Sequence, residues 1–304
     1  MAQKFEQVSI WSNFDHLLEE AEKHFFASDF EKALNYWNDY ASITGTPTWA
    51  KTHSDLNQLI NSFKSLNSDD PQNLFDEWLK LRLQLNEGKV NSYAFEMMSK
   101  LMAKNYLHKK QTVSYDLATG IFCFIEGKLD NAKANLKVAV NHQPASLLTR
   151  LFLSKIYFAE NDEKKGSALL SQAMFLGGNE ILSDDIVPEK IRNLYGRLKS
   201  LHGKGEIGVW LVPFEAWFRN WIVLLEDNEF FQVMQQKERS ERILQVKYYT
   251  SEKYRHFVRC LFIAEYVRQY LPKERGIIWE QEAYMEKLDN QLFQRYRKKR
   301  KPVA

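Results

Sequence analysis

The chain has 304 residues, 44% hydrophobic and 14% aromatic, which excludes a disordered chain and is ample for one large or two ordinary domains. Twelve glycines and seven prolines are few for that length, which argues against the turn-rich punctuation of an all-β protein. The net charge of +3 hides an asymmetry: Arg295, Arg297, Lys298, Lys299, Arg300 and Lys301 all sit at the C-terminus, so the body is mildly acidic and the tail basic.

In chain order, the opening MAQKFEQVSIWSNFDHLL has no uninterrupted apolar run. No secretory signal is therefore expected, and a cytoplasmic protein is the default. DHLLEEAEKHFFASDFEKALNYWNDYA follows, with Leu17, Ala21, Phe30, Ala33 and Trp37 at helical spacing. Asp70-Pro71 reads as an N-cap with proline at the first helical position, opening a helix through Phe75, Trp78, Leu79 and Leu83. An internal repeat then emerges, because Gly120 and Ser154 are 34 apart, as are Ala132 and Gly166, Leu136 and Leu170, Ala139 and Ala173, and Pro144 and Gly178. Each copy predicts two short amphipathic helices, with turns at Glu126 to Lys128 and at Asn161 to Glu163. Small residues at Gly120, Ser154, Ala132 and Gly166 would let the paired helices approach closely, and stacking of neighbours would complete the core. Cys123 and Cys260 each lie in an apolar helical pattern and read as buried free thiols.

This pattern resembles the tetratricopeptide repeat, a 34-residue helical hairpin. The first copy supplies Gly120, Leu129, Ala132, Leu136, Ala139 and Pro144, and the second Ser154, Tyr157, Leu170 and Ala173, with departures at Glu163 and Gly166. The stretch around Leu17 to Trp37 is an earlier copy, and LFDEWLKLRLQLNEGKVNSYAFEMMSKLM a weak one that keeps Gly88 and Met97. The resemblance implies an all-α fold, with a helix-turn-helix solenoid over residues 1–202 whose best repeats are 14–47, 113–146 and 147–180. It also implies a peptide-binding groove lined by Leu117, Ile121, Phe124 and Ile125 in one copy and Leu148, Leu151, Lys155 and Phe158 in the next, with Leu18, Glu22, Phe25 and Phe26 in the N-terminal copy. Lys155 and Arg82 are its only basic candidates, too few for the carboxylate clamp that some family members carry.

Beyond the repeats, Asp184-Asp185 reads as a capping pair and Val187-Pro188 opens a helix through Ile191, Leu194 and Leu198. The glycines of HGKGEIG, Gly203 to Gly208, mark the expected boundary of a helical C-terminal region, 203–304. There, Pro213 reads as the first residue of a helix to Glu226 whose apolar face carries Phe214, Trp217, Phe218, Trp221, Ile222 and Leu225. Glu215 and Arg219 in its middle argue against a transmembrane span. It is expected to pack inside, either along the repeats or among the C-terminal helices. Further helices are predicted near Glu229 to Leu244, Ser251 to Leu271 and Trp279 to Lys299, the last with Met285, Leu288, Leu292 and Tyr296 on one stripe.

No phosphate-cradling loop and no zinc-type spacing of histidines or cysteines occurs, so neither an enzyme nor a cofactor or metal is expected. The first functional reading is a non-enzymatic adaptor or scaffold that binds a protein or peptide through the repeat surface. The second is a nucleic-acid-associated protein that contacts phosphates through Arg255, Arg259 and the tail residues Arg295 to Lys301. The tail, charged and terminal, is expected to be dispensable for folding.

Overall fold

The computed structural model describes residues 12–45, 47–66, 69–109, 115–177, 188–202, 207–242 and 251–300. Gly178, Asp184-Asp185, Val187, the glycines Gly203 and Gly205, and Lys301 lie outside the described residues, as do the ends of the predicted repeats at 113–114 and 178–180. All regular structure among the described residues is α-helical, with no strand.

Contacts divide the chain into two compact units, Met1–Val113 and Ser114–Ala304. The boundary expected at 202/203 thus falls inside the second unit. Its physical reason is packing: the helices on either side of the glycine run, Glu189–His202 and Ile207–Phe218, pair with one another.

The first unit holds α1 (Ser12–Phe26), α2 (Phe30–Thr44), α3 (Pro47–Ser65), α4 (Pro71–Asn86) and α5 (Ser92–His108). α1 and α2 form a hairpin around Ala21, Phe25, Ala33 and Trp37, all fully buried. Asp70 caps α4 as its sequence predicts, its carboxylate accepting from Gln72 N at 2.9 Å, with Pro71 in the first turn. α3 separates the two hairpins and was not foreseen. Asn91 ties it to α5, since its Nδ2 donates to Thr52 Oγ1 at 2.8 Å, its N–H donates to Asp55 at 3.2 Å, and its Oδ1 caps Ala94.

The second unit begins with two hairpins, α6 (Asp116–Ile125) with α7 (Leu129–His142) and α8 (Leu147–Ala159) with α9 (Glu163–Leu176). Here the small residues have the role their spacing predicts. A Cβ on Gly120 would stand 2.6 Å from Leu136 Cγ, and one on Gly166 would stand 2.9 Å from the Phe158 ring. The turns repeat as well. Ser28, Gly88, Gly127 and Asn161 take a left-handed backbone, with φ of 62–73°. In each case the next N–H reaches back to close the first helix: Asp29 to His24 O, Lys89 to Gln84 O, Lys128 to Cys123 O and Asp162 to Tyr157 O, at 2.8–2.9 Å.

The remaining helices are α10 (Glu189–His202), α11 (Ile207–Phe218), α12 (Asn228–Ser240), α13 (Ser251–Tyr270), α14 (Arg275–Leu288) and α15 (Asn290–Arg300). Pro213 lies inside α11 instead of opening it, and the helix ends at Phe218, not Glu226. Asn220 (φ 58°) stops it with the same turn as the hairpins, Trp221 N reaching Ala216 O at 2.9 Å. The segment 221–227 then runs without helix because other elements satisfy its backbone: Val223 N donates to Ser171 Oγ (3.1 Å), Tyr270 Oη donates to Leu224 O (2.8 Å), and Asp227 N donates to Tyr266 Oη (2.8 Å). Phe214 and Trp217 are buried while Phe218 is exposed, so the apolar stretch packs inside in its first half. The stripe Met285, Leu288, Leu292 and Tyr296 is buried as expected, but on two helices, because Asp289 breaks the run and caps α15 through Leu292 N (3.0 Å).

α13 is the central element. Every residue from His256 to Val267 is buried, and its apolar members share one core with Leu151, Phe175, Phe214, Phe230, Met285 and Tyr296. Arg150, fully buried in α8, stacks on the Phe230 ring at 4.3 Å and reaches Asp227 at 3.3 Å, and Gln172 donates to the same carboxylate at 3.1 Å. The last hairpin and the C-terminal helices are therefore one packed body.

The hairpin contacts are testable with two glycines. Gly120→Val places its side chain against Leu136 and is expected to lower the unfolding free energy by about 1–3 kcal/mol. Gly196→Ala, on the exposed face of α10 with nothing within 4 Å, is expected to raise it by about 0.5–1 kcal/mol. Urea titration of both variants measures the contrast.

Candidate functional site

Three places hold the residues to which the sequence assigns function, or which the structure adds. The first is the face of hairpins α6–α7 and α8–α9. Leu117, Phe124, Ile125 and Leu148 are half-buried there. Phe124 meets Phe152 edge-on at 5.4 Å, which sets α6 beside α8, and the Lys155 ammonium lies 4.4 Å from the Phe152 ring and 5.9 Å from Phe124. Ile121, Leu151 and Lys155 are buried, and Phe158 turns against Gly166, so these four line helix contacts and not an open groove. In the N-terminal copy, Phe25 is likewise core, and Glu22 accepts from Tyr93 Oη at 2.9 Å. Arg82 is buried.

The second place is the basic set. Arg259 bonds Glu241 at 2.5 Å, with Arg255 at 3.7 Å from the same carboxylate. Burial alone raises the Glu241 carboxyl, but the Arg259 hydrogen bond and both guanidinium charges outweigh it and hold it below the usual range. The tail is helical to Arg300, and Arg295, Lys299 and Arg300 dock on other helices. Arg295 bonds Glu215 at 2.6 Å and lies 5.1 Å over the rings of Phe214 and Phe218. Lys299 sits 4.1 Å over Trp217 and donates to its carbonyl, and Arg300 pairs with Glu265. Burial pulls both the Lys299 and the Arg300 pKa down. Arg297 lies 5.8 Å over Phe293, and Lys298 is exposed. Tyr296 has no exposed surface, and its hydroxyl joins Glu265 (3.2 Å), Glu282 (3.1 Å) and Arg268 (2.9 Å). The side of the tail that carries Arg295, Lys299 and Arg300 is thus docked and not solvated. Its apolar and aromatic partners on α11, which no local pattern reveals, hold it down.

Nearby, Glu238 is fully buried and held by the Arg242 guanidinium at 2.9 and 3.0 Å, with Gln281 at 3.5 Å and the Cys260 thiol at 3.8 Å. Burial, with Glu238 beside it, pushes the Cys260 thiol well up, so it is an inert thiol. His256, one turn earlier, is fully buried with no hydrogen-bond partner on either ring nitrogen, and burial reinforced by Arg259 and Arg255 depresses its pKa to about 4.

The third place is a surface cleft of about 370 Å³ where α13 ends and α14 begins, lined by Arg268, Pro272, Arg275, Ile278, Trp279 and Glu282. Arg275, Ile278, Trp279 and Glu282 follow a helical spacing of i, i+3, i+4 and i+7, so one face of α14 forms a wall. Ile278 is buried beneath it, while Trp279 is 68% exposed. Arg268 is committed to Glu282 (2.6 Å) and the Tyr296 hydroxyl, whereas Arg275 makes no ion pair among the described residues. Sequence reasoning missed this site because it began the last helix at Trp279, one turn too late to see Arg275 share a face with the indole.

No family model, curated protein or solved structure matches the chain. No helix of the described residues is long and apolar enough to cross a membrane, and no group of three or more His, Cys, Asp or Glu among them is placed to hold a metal ion.

The His256 environment predicts a defined acid response. In the unfolded chain the imidazole protonates near pH 6.5, but in the folded chain only near 4. Stability is therefore unaffected above pH 6.5 and declines as pH falls from 6.5 to 4, by about 3 kcal/mol in total from this one group. His256→Phe removes the titration, so the difference between wild-type and variant unfolding free energies, followed by urea titration across that window, should contain this step.

Proposed function

We propose that the chain is a non-enzymatic scaffold of tetratricopeptide-like helical hairpins, acting in the cytoplasm and binding a protein or peptide partner. One observation carries the reading: four hairpins share the same left-handed turn and backwards hydrogen bond, and in the second unit consecutive hairpins pack α8 against both α6 and α7. Such repeats present one helix face after another, a geometry suited to gripping an extended partner. Leu117, Phe124, Ile125 and Leu148 are the half-buried apolar residues available on that face. The strongly displaced groups His256 and Cys260 support the non-enzymatic part, since both are sealed inside the core and out of reach of a substrate. The nucleic-acid reading draws less support, because Arg255, Arg259, Arg295 and Arg300 are engaged by Glu241, Glu215 and Glu265.

Affinity capture from native lysate with nuclease present tests this. The full chain should retain a stoichiometric protein, and Leu148→Glu, with unchanged circular dichroism, should reduce its recovery at least tenfold. Retention that vanishes with nuclease, or that is indifferent to Leu148, contradicts the reading.

A further inference from the structure

We infer that the cleft between α13 and α14 binds a short acidic peptide segment in which a carboxylate side chain lies next to an aromatic or aliphatic one. Three features of the cleft select this chemistry. Arg275 is a cation that makes no ion pair among the described residues, one helical turn from an indole that is 68% exposed. A carboxylate satisfies the guanidinium with paired hydrogen bonds, and an apolar side chain covers the indole face. Ile278 and Pro272 add further apolar surface to the lining.

The charge of the lining decides between a peptide and a polyanion. Glu282 spends Oε1 on Arg268 and the Tyr296 hydroxyl, so these two charges of the lining neutralise each other, two turns along the same helix face from Arg275. That leaves Arg275 as the one cation of the lining without an ion pair among the described residues, which suits a single carboxylate and not a run of phosphates. The volume of about 370 Å³ holds two or three residues and excludes a folded domain. Exposed aromatic and arginine side chains are also the residue types that dominate binding when a partner buries them.

The inference rests on the scaffold reading, yet the two fail separately, since Leu148 reports on the hairpin face and Arg275 and Trp279 report on the cleft alone. The test selects a phage-displayed random heptapeptide library on the full-length chain. The enriched sequences are then synthesised with a fluorescein label and titrated by fluorescence anisotropy. Enriched peptides should carry Asp or Glu within two residues of an aromatic or aliphatic side chain, and replacing that acid with its amide should weaken binding to the wild-type chain at least tenfold. Arg275→Glu and Trp279→Ala, both at exposed positions, should each weaken binding at least tenfold while thermal unfolding is unchanged, and a peptide with Lys in place of the acid should bind Arg275→Glu better than wild type. Enrichment without acids, no enrichment at all, or equal binding by the variants overturns the inference. So does Arg275-dependent binding of a labelled dT12 oligonucleotide with no acidic peptide enriched, which would assign the cleft to nucleic acid.

Discussion

Twelve consecutive residues of α13, His256 to Val267, have no face to water, and the second unit is arranged around that constraint. A helix apolar on one side can rest on a surface, but a helix buried all round needs neighbours on every side and a partner for every polar group. Glu265 obtains Trp217 Nε1 (3.2 Å), the Tyr296 hydroxyl and Arg300; Arg259 obtains Glu241. These partners come from α11, from α15 and from the residue following α12, so satisfying one helix draws three others into place. His256 is left without a hydrogen bond on either ring nitrogen, and burial, reinforced by Arg259 and Arg255, depresses its pKa.

The same constraint explains the C-terminus. Six closely spaced cations would repel one another if solvated together, yet here Arg295 and Arg300 neutralise the buried carboxylates Glu215 and Glu265. The Glu215 carboxyl, which burial alone would raise, is instead held below its usual range by Arg219 and Arg295. Removing Arg295 would leave Glu215 with Arg219 alone, and removing Arg300 would leave Glu265 with Arg268 at 3.5 Å, so each loss weakens the compensation of a largely buried charge.

Much of the helical order was legible in the sequence because it depends on local spacing. The 34-residue offset marked Gly120 and Gly166 as places of close helix approach, where the structure sets Leu136 and Phe158 against them, and Asp70-Pro71 marked a helix start to the residue. What escaped depends on contacts far apart in sequence. Nothing near Pro213 shows that Ser171, Tyr266 and Tyr270 will bond residues 223 to 227 and hold them out of a helix. Nothing near Arg295 shows that Glu215 awaits it 80 residues away. The groove inferred from family positions suffered similarly: Ile121 and Leu151 occupy plausible positions on their helices, but neighbouring layers bury them. The cleft was hidden by a smaller error, a helix start misplaced by one turn.

The central claim is that the hairpin α8–α9 and the C-terminal helices share one core, to which Leu151 and Phe175 belong as well as Tyr296. Native-state hydrogen exchange on Tyr296→Ala tests it most directly. Loss of this fully buried side chain should cost about 3–5 kcal/mol. If the core is one cooperative unit, amide protection in α8, α9 and α13 falls by the same free energy as in α15. Protection that falls in α15 alone, with α8 and α9 unchanged, would contradict the account and restore a boundary between the repeats and the C-terminal region.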